Sequence, residues 1–216
     1  MRIKYQFKYQ KETIIIFALS LIISGLLTGW IFQKSGMEAQ AKAQEHLAGE
    51  VLRFHILANS DSEEDQNLKM KVKEEVLSYL KTMPEGYDVK QTKNWIRLHL
   101  DEIENASRNV IRREGYGYPV SGAVTLCYFP EKTYGDVTFP AGNYEALRIE
   151  IGAGEGHNWW CVLYPNLCFV DAVNAVVPEE GKEELRQVLT EEEYKEVTAD
   201  SDMKIKWYFK EVLDKQ

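Results

Sequence analysis

VLRFHILANSDSEEDQNLKMKVKEEVLSYL, residues 51–80, changes its hydrophobic period part-way along, and that change decides the fold. Residues 51–58 are branched, apolar or aromatic at every position but Arg53 over a strand's length, and Asn59, Ser60 and Asp61 then supply turn chemistry. Beyond the turn, Leu68, Val72, Val76, Leu77 and Leu80 recur at steps of four and three, with Lys69, Lys71, Lys73 and Glu75 between them. That spacing predicts a helix with one buried stripe and one wet face. Ser60 with Glu63, or Ser62 with Asp65, offers the N-cap, and Pro84 and Gly86 bound the far end.

Towards the C-terminus a second helix is expected over residues 90–113, since Ile96, Leu100, Ile103, Val110 and Ile111 keep helical spacing and Gly115 can cap it. After Gly115 the period becomes two. Residues 123–129, 134–139, 144–151, 159–163 and 167–170 read as strands separated by turns at Pro130, 140–143 and 164–166, an antiparallel meander. Two short helices follow over 178–189 and 190–197, the second with Thr190 and Glu193 in capping-box register, and residues 203–212 fit a strand running into a helical end. Helices first and strands after predict an α+β domain, with helices packed on one face of a mainly antiparallel sheet.

Towards the N-terminus, residues 13–32 (TIIIFALSLIISGLLTGWIF) hold no charge over 20 residues. As a helix that run reaches ~30 Å, the thickness of a bilayer's hydrocarbon core. The basic flank, residues 1–12 with Arg2, Lys4, Lys8 and Lys11, should stay cytoplasmic and send everything after Lys34 across. Two outcomes stay open: a retained anchor, or a signal segment cleaved near Ala41 or Ala43, where small residues alternate. Residues 33–49 read as a polar stalk and 50–216 as the extracytoplasmic domain. The net charge is −8, but residues 1–34 carry +4, which leaves −12 for the rest. A domain that acidic repels phosphate backbones and anionic headgroups, so nucleic acid is excluded as a partner and membrane contact falls to the N-terminal helix.

Chemistry-bearing residues concentrate in residues 152–170. Gly152, Gly154 and Gly156 have the spacing of a phosphate cradle, but a strand follows them where a dinucleotide fingerprint needs a helix. Backbone freedom, letting Trp159 or Trp160 lie against the main chain, is the better reading. In a hairpin centred between Tyr164 and Pro165, Cys161 and Cys168 fall opposite one another and can form a disulfide in an oxidising compartment; in a reducing one they would be small core residues, and Cys127 stays unpaired either way. Zinc is disfavoured because this spacing is too wide for a knuckle and His157 alone does not complete a site. The enzymatic alternative is a hydrolase with Cys161 as nucleophile and His157 as base, although such pairs normally come from distant parts of a chain. His55, inside an apolar strand, reads as a hydrogen-bonded structural histidine, and His46 and His99 as surface residues. The acidic corner of Asp61, Glu63, Glu64 and Asp65 suits a helix N-terminus whatever else it does. No cofactor, metal or small-molecule substrate is expected.

Two of these stretches resemble a known family. RFHILANSDSEEDQNLKMKVKEEVL, residues 53–77, is similar to the opening of the stage II sporulation protein R family of endospore-forming bacteria, and GEGHNWWCVLYPNLCF, residues 154–169, looks like its second signature. The resemblance covers most of residues 50–177 and adds little beyond Pro178. It implies a signal in place of an enzyme: a protein made in the forespore, exported into the space between forespore and mother-cell membranes, that triggers a membrane-embedded aspartic-type protease. That protease would process the precursor of a mother-cell sigma factor. The matching motif positions are the partner-binding candidates: His55, Asn59, Asp61, Asp65, Gln66 and Lys69 in the first, and Glu155, His157, Asn158, Trp159 and Trp160 in the second.

Overall fold

The computed structural model describes residues 2–168, 177 and 179–198, with residues 2–15, 18, 36, 39 and 40 described by backbone alone. It divides into two units, Met1–Glu45 and His46–Gln216. The first is formed by helix α1 (Arg2–Glu50), a 49-residue element that also begins the second. Within the first unit, apolar side chains including Ile22, Leu26, Trp30 and Phe32 are all exposed. Among the described residues no helix is long and apolar enough to cross a membrane. Residues 13–15 and 18 of the expected span are among those described by backbone alone.

The second unit is an α+β domain around a four-stranded mixed sheet. Its elements are β1 (Leu52–Leu57), α2 (Glu63–Leu80), α3 (Val89–Leu98), α4 (Leu100–Arg113), β2 (Val120–Phe129), β3 (Lys132–Tyr134), β4 (Val137–Phe139), β5 (Gly142–Ile151), β6 (Asn158–Tyr164), α5 (Glu179–Val188) and α6 (Glu191–Thr198). The sheet order is β2-β5-β1-β6, with β1 parallel to β5 and antiparallel to β6. This corrects the expected meander. Three helices separate β1 from the later strands, a connection long enough for a parallel crossover, so β1 slots between β5 and β6, which would otherwise be hairpin neighbours. β3 and β4 form a separate two-stranded ribbon around Gly135, at φ +58°, where a single strand over 134–139 was expected.

Alternation on the central strands sends residues to two cores. Leu52, Phe54 and Ile56 of β1, with Leu147, Ile149 and Ile151 of β5, pack against the apolar stripes of α2, α3 and α4. On the opposite face Tyr144, Ala146 and Val162 pack under the β3–β4 ribbon and the apolar sides of α5 and α6, with Leu47 and Val51 completing that layer. Helices therefore cover both faces, not one. The helix expected over 90–113 is two helices, because His99 sits at φ −113°, ψ 21° and returns its backbone N–H to Trp95 and Ile96. Asp88 caps α3 in a reciprocal capping box with Gln91. For α2 the structure takes the second of the two possible caps, Ser62 Oγ accepting from the Asp65 N–H at 3.2 Å. No strand is made at Leu167 and Cys168, since the Leu167 N–H turns back to Val162 and Pro165. Residues 169–170 and the expected strand and helix at 203–212 lie outside the described residues.

Candidate partner-binding site

The turn after β1 and the glycine turn before β6 meet at one corner of the domain, and the two sequence motifs meet with them. Asn59 faces both ways: its Oδ1 accepts from the Ala153 N–H at 3.0 Å and its Nδ2 donates to Asp65 Oδ2 at 2.8 Å. The same Asp65 oxygen accepts from Ser60 Oγ at 2.6 Å. Gln66 Nε2 donates to the Ser60 carbonyl at 2.9 Å, while the Lys69 ammonium donates to Gln66 Oε1 and to the His157 carbonyl, the latter at 2.8 Å. Backbone bonds from Gly156 to Ala58 and from Glu155 to Asn59 tie the turns directly.

The glycines are demanded by this closeness. Gly152, at φ +62°, leaves no room for a side chain beside Asn59, and a Cβ on Gly156 would collide with the Ser60 backbone. Their role is thus to let two turns touch, not to seat a tryptophan.

Electrostatics follow the same plan. Asp65 is 4% exposed, and burial alone would push its carboxyl up. The hydrogen bonds from Ser60, Asn59 and Tyr118 outweigh that and hold it below the usual carboxylate range. Burial pulls the Lys69 ammonium down, with nearby Asp61 opposing. Asp61 is lowered chiefly by its hydrogen bond with the His157 side chain and then by the His157 backbone, whose N–H reaches Asp61 Oδ1 at 2.6 Å. The side chains of Asp61 and His157 are 54% and 80% exposed.

The candidates therefore separate. Asn59, Asp65, Gln66 and Lys69 spend their polar groups inside the corner. Asp61, Glu155 and His157 stand at its surface. His55 and Trp160 lie together on the β3–β4 side of the sheet, stacked at 5.0 Å with planes 6° apart, and Trp159 lies on the helical side against Phe54 under the Lys73 ammonium. Each tryptophan is only partly buried, and Asn158 closes the β6 end opposite Leu57. Neither His55 ring nitrogen has a hydrogen-bond partner among the described residues, which corrects the expectation of a hydrogen-bonded histidine; burial and then the charges of Arg148 and Arg53 lower its pKa to about 4. His99 likewise is not a plain surface group, since it stacks on Trp95 at 4.0 Å.

Ser60, Tyr118 and Arg53 were not among the sequence candidates. Ser60 had a legible signal, as a second hydroxyl two residues before the cap; Tyr118 had none, because it reaches Asp65 only through the fold. The hydrolase arrangement loses its nucleophile: Cys161 is 1% exposed and bonded to Cys168, with Cα atoms 5.3 Å apart, while His157 pairs with Asp61. Among the described residues no group of three or more His, Cys, Asp or Glu is placed to hold a metal ion. What the corner presents to a ligand is an outward carboxylate–imidazole pair beside further acids, an arrangement suited to accepting hydrogen bonds and cationic groups.

Comparison with known proteins agrees with the motifs. The family model described as stage II sporulation protein R matches residues 48–174. The stage II sporulation protein R of Bacillus subtilis strain 168 is 34% identical over 192 residues, covering 88% of this chain and 85% of that protein. No solved structure matches. The chain belongs to the stage II sporulation protein R family.

Proposed function

We propose that this member of the family is an exported sporulation signal that activates a membrane-embedded aspartic-type protease, which in turn processes a mother-cell sigma factor precursor. The observation that carries the reading is the convergence of both family motifs on one corner whose interior is fully engaged in holding itself together. That leaves Asp61, Glu155 and His157 facing outward as the contact surface. Residues 13–32 deliver the domain: a row of apolar side chains open on α1 calls for a lipid environment, and the basic flank before it favours retention on the cytoplasmic side. The domain then acts in the space between forespore and mother-cell membranes, held by that helix or released by cleavage near Ala41 or Ala43.

The test is co-expression of the full chain with the protease and a tagged precursor. Asp61→Ala with His157→Ala should lower precursor processing by about tenfold or more, as loss of an interface hot spot does, while the exported protein stays folded. Unchanged processing by a folded, exported double variant would remove this corner from the contact.

A further inference from the structure

A second surface feature lies at the opposite end of the β1–β6 pair, near Tyr164, the register partner of Leu52, whereas the corner above begins past Leu57 and Asn158. It is a cleft of about 640 Å³ between the end of α2, the turn that follows it, α3, the end of β6 and α5. Its apolar walls come from Leu80, Met83, Pro84 and Leu163. Three carboxylates, Glu85, Glu180 and Glu184, stand around it, against Lys81 as the cation among the described lining residues. Asp88 and Glu50 add to the negative field, since together with Glu184 and behind burial they raise the Tyr164 hydroxyl's pKa. Thr92 lines the cleft as well; it is wholly buried, and its Oγ1 has no hydrogen-bond partner among the described residues.

A buried hydroxyl without a partner is costly, and native proteins keep few of them. Here it borders a cavity of the size that ligand sites occupy, about 300–1,000 Å³. Apolar walls, a surplus of carboxylates and an unused hydroxyl make one recognition chemistry. We propose that this cleft binds a peptide segment of a partner protein in which an arginine or lysine is flanked by apolar side chains. The apolar residues lie on Leu80 and Leu163, the cation is drawn to Glu180 and Glu184, and a main-chain amide or carbonyl of the peptide satisfies Thr92. This surface is separate from the Asp61–His157 corner and does not depend on its role.

The test uses the full chain in non-ionic detergent, with micelle background subtracted, and a capped fluorescent peptide alternating leucine with arginine, followed by anisotropy. Saturable binding is expected. Glu180→Gln with Glu184→Gln should weaken it by about fivefold, as loss of partly exposed charge pairs does. Thr92→Val should also weaken binding while leaving the free protein at least as stable, because it removes an unpaired hydroxyl at constant shape. Asp61→Ala should leave this binding unchanged. No saturable binding, equal binding of a peptide with glutamate in place of arginine, or affinity indifferent to both the glutamine pair and Thr92→Val would overturn the proposal.

Discussion

The Asn59–Asp65–Lys69 corner and the middle of β1 both bury charge, and they do it by opposite means. At the corner, each buried charged group has its hydrogen bonds: Asp65 receives three side-chain donors, and Lys69 gives to a carbonyl and an amide. Two residues of strand away from the turn, and among the described residues, His55 has no hydrogen bond on its ring and Arg53, fully buried, has two. Its guanidinium donates to the Cys161 carbonyl at 3.3 Å and to the Tyr134 hydroxyl at 3.0 Å, and is otherwise surrounded by the rings of Phe129, Phe139, Tyr144 and Tyr134 at 4.4–5.6 Å. Burial lowers its pKa, with Tyr134 and Tyr144 opposing. One region uses directional bonds that fix two turns in register; the other uses ring quadrupoles that hold a cation without fixing direction. The difference teaches which residues are free for a partner, because only the corner reaches the surface.

The largest effect should come from removing the caged cation. Arg53→Ala empties the centre of the second core and is expected to cost about 3–5 kcal/mol in denaturant unfolding. Arg53→Met, which keeps the volume and drops the buried charge, should cost far less and will show whether the cage serves stability at all. Next comes acid sensitivity. His55 titrates near 4 in the folded chain against about 6.5 unfolded, so the unfolded state binds the proton first as pH falls. Stability is therefore complete above about pH 6.5 and declines towards pH 4 by up to about 3 kcal/mol, and His55→Phe should flatten that slope in pH-resolved thermal melts. A smaller loss, about 2 kcal/mol, is expected for Asp65→Ala, which leaves the Ser60, Asn59 and Tyr118 donors unpaired; equal stability of Asp65→Ala and wild type in urea would mean the corner is not built as described.

Much of this was legible in residues 51–80. A strand over residues 51–58, the turn at Asn59 and the stripe from Leu68 to Leu80 follow from period and capping, and the structure has them, with the strand itself running Leu52–Leu57. The break at His99 was not legible, because Ile96, Leu100 and Ile103 keep helical phase across it and the interruption is made by backbone bonds. The place of β1 in the sheet was hidden too, since strand order depends on long-range pairing that local alternation does not encode. Gly135 and Asp136 were a readable turn signal inside the supposed strand 134–139. At the site, spacing could mark the motif residues but could not sort them. Whether Asp65 points inward and Asp61 outward is settled only when the glycine turn closes over Asn59.

The sorting of Asp61, Glu155 and His157 to the surface is the claim most open to direct attack. A photoreactive phenylalanine analogue placed at position 155, in cells co-expressing the full chain and the protease, should give a covalent adduct of their combined mass, and the same analogue at position 102 on α4 should not. An adduct from position 102 but none from position 155 would contradict the account.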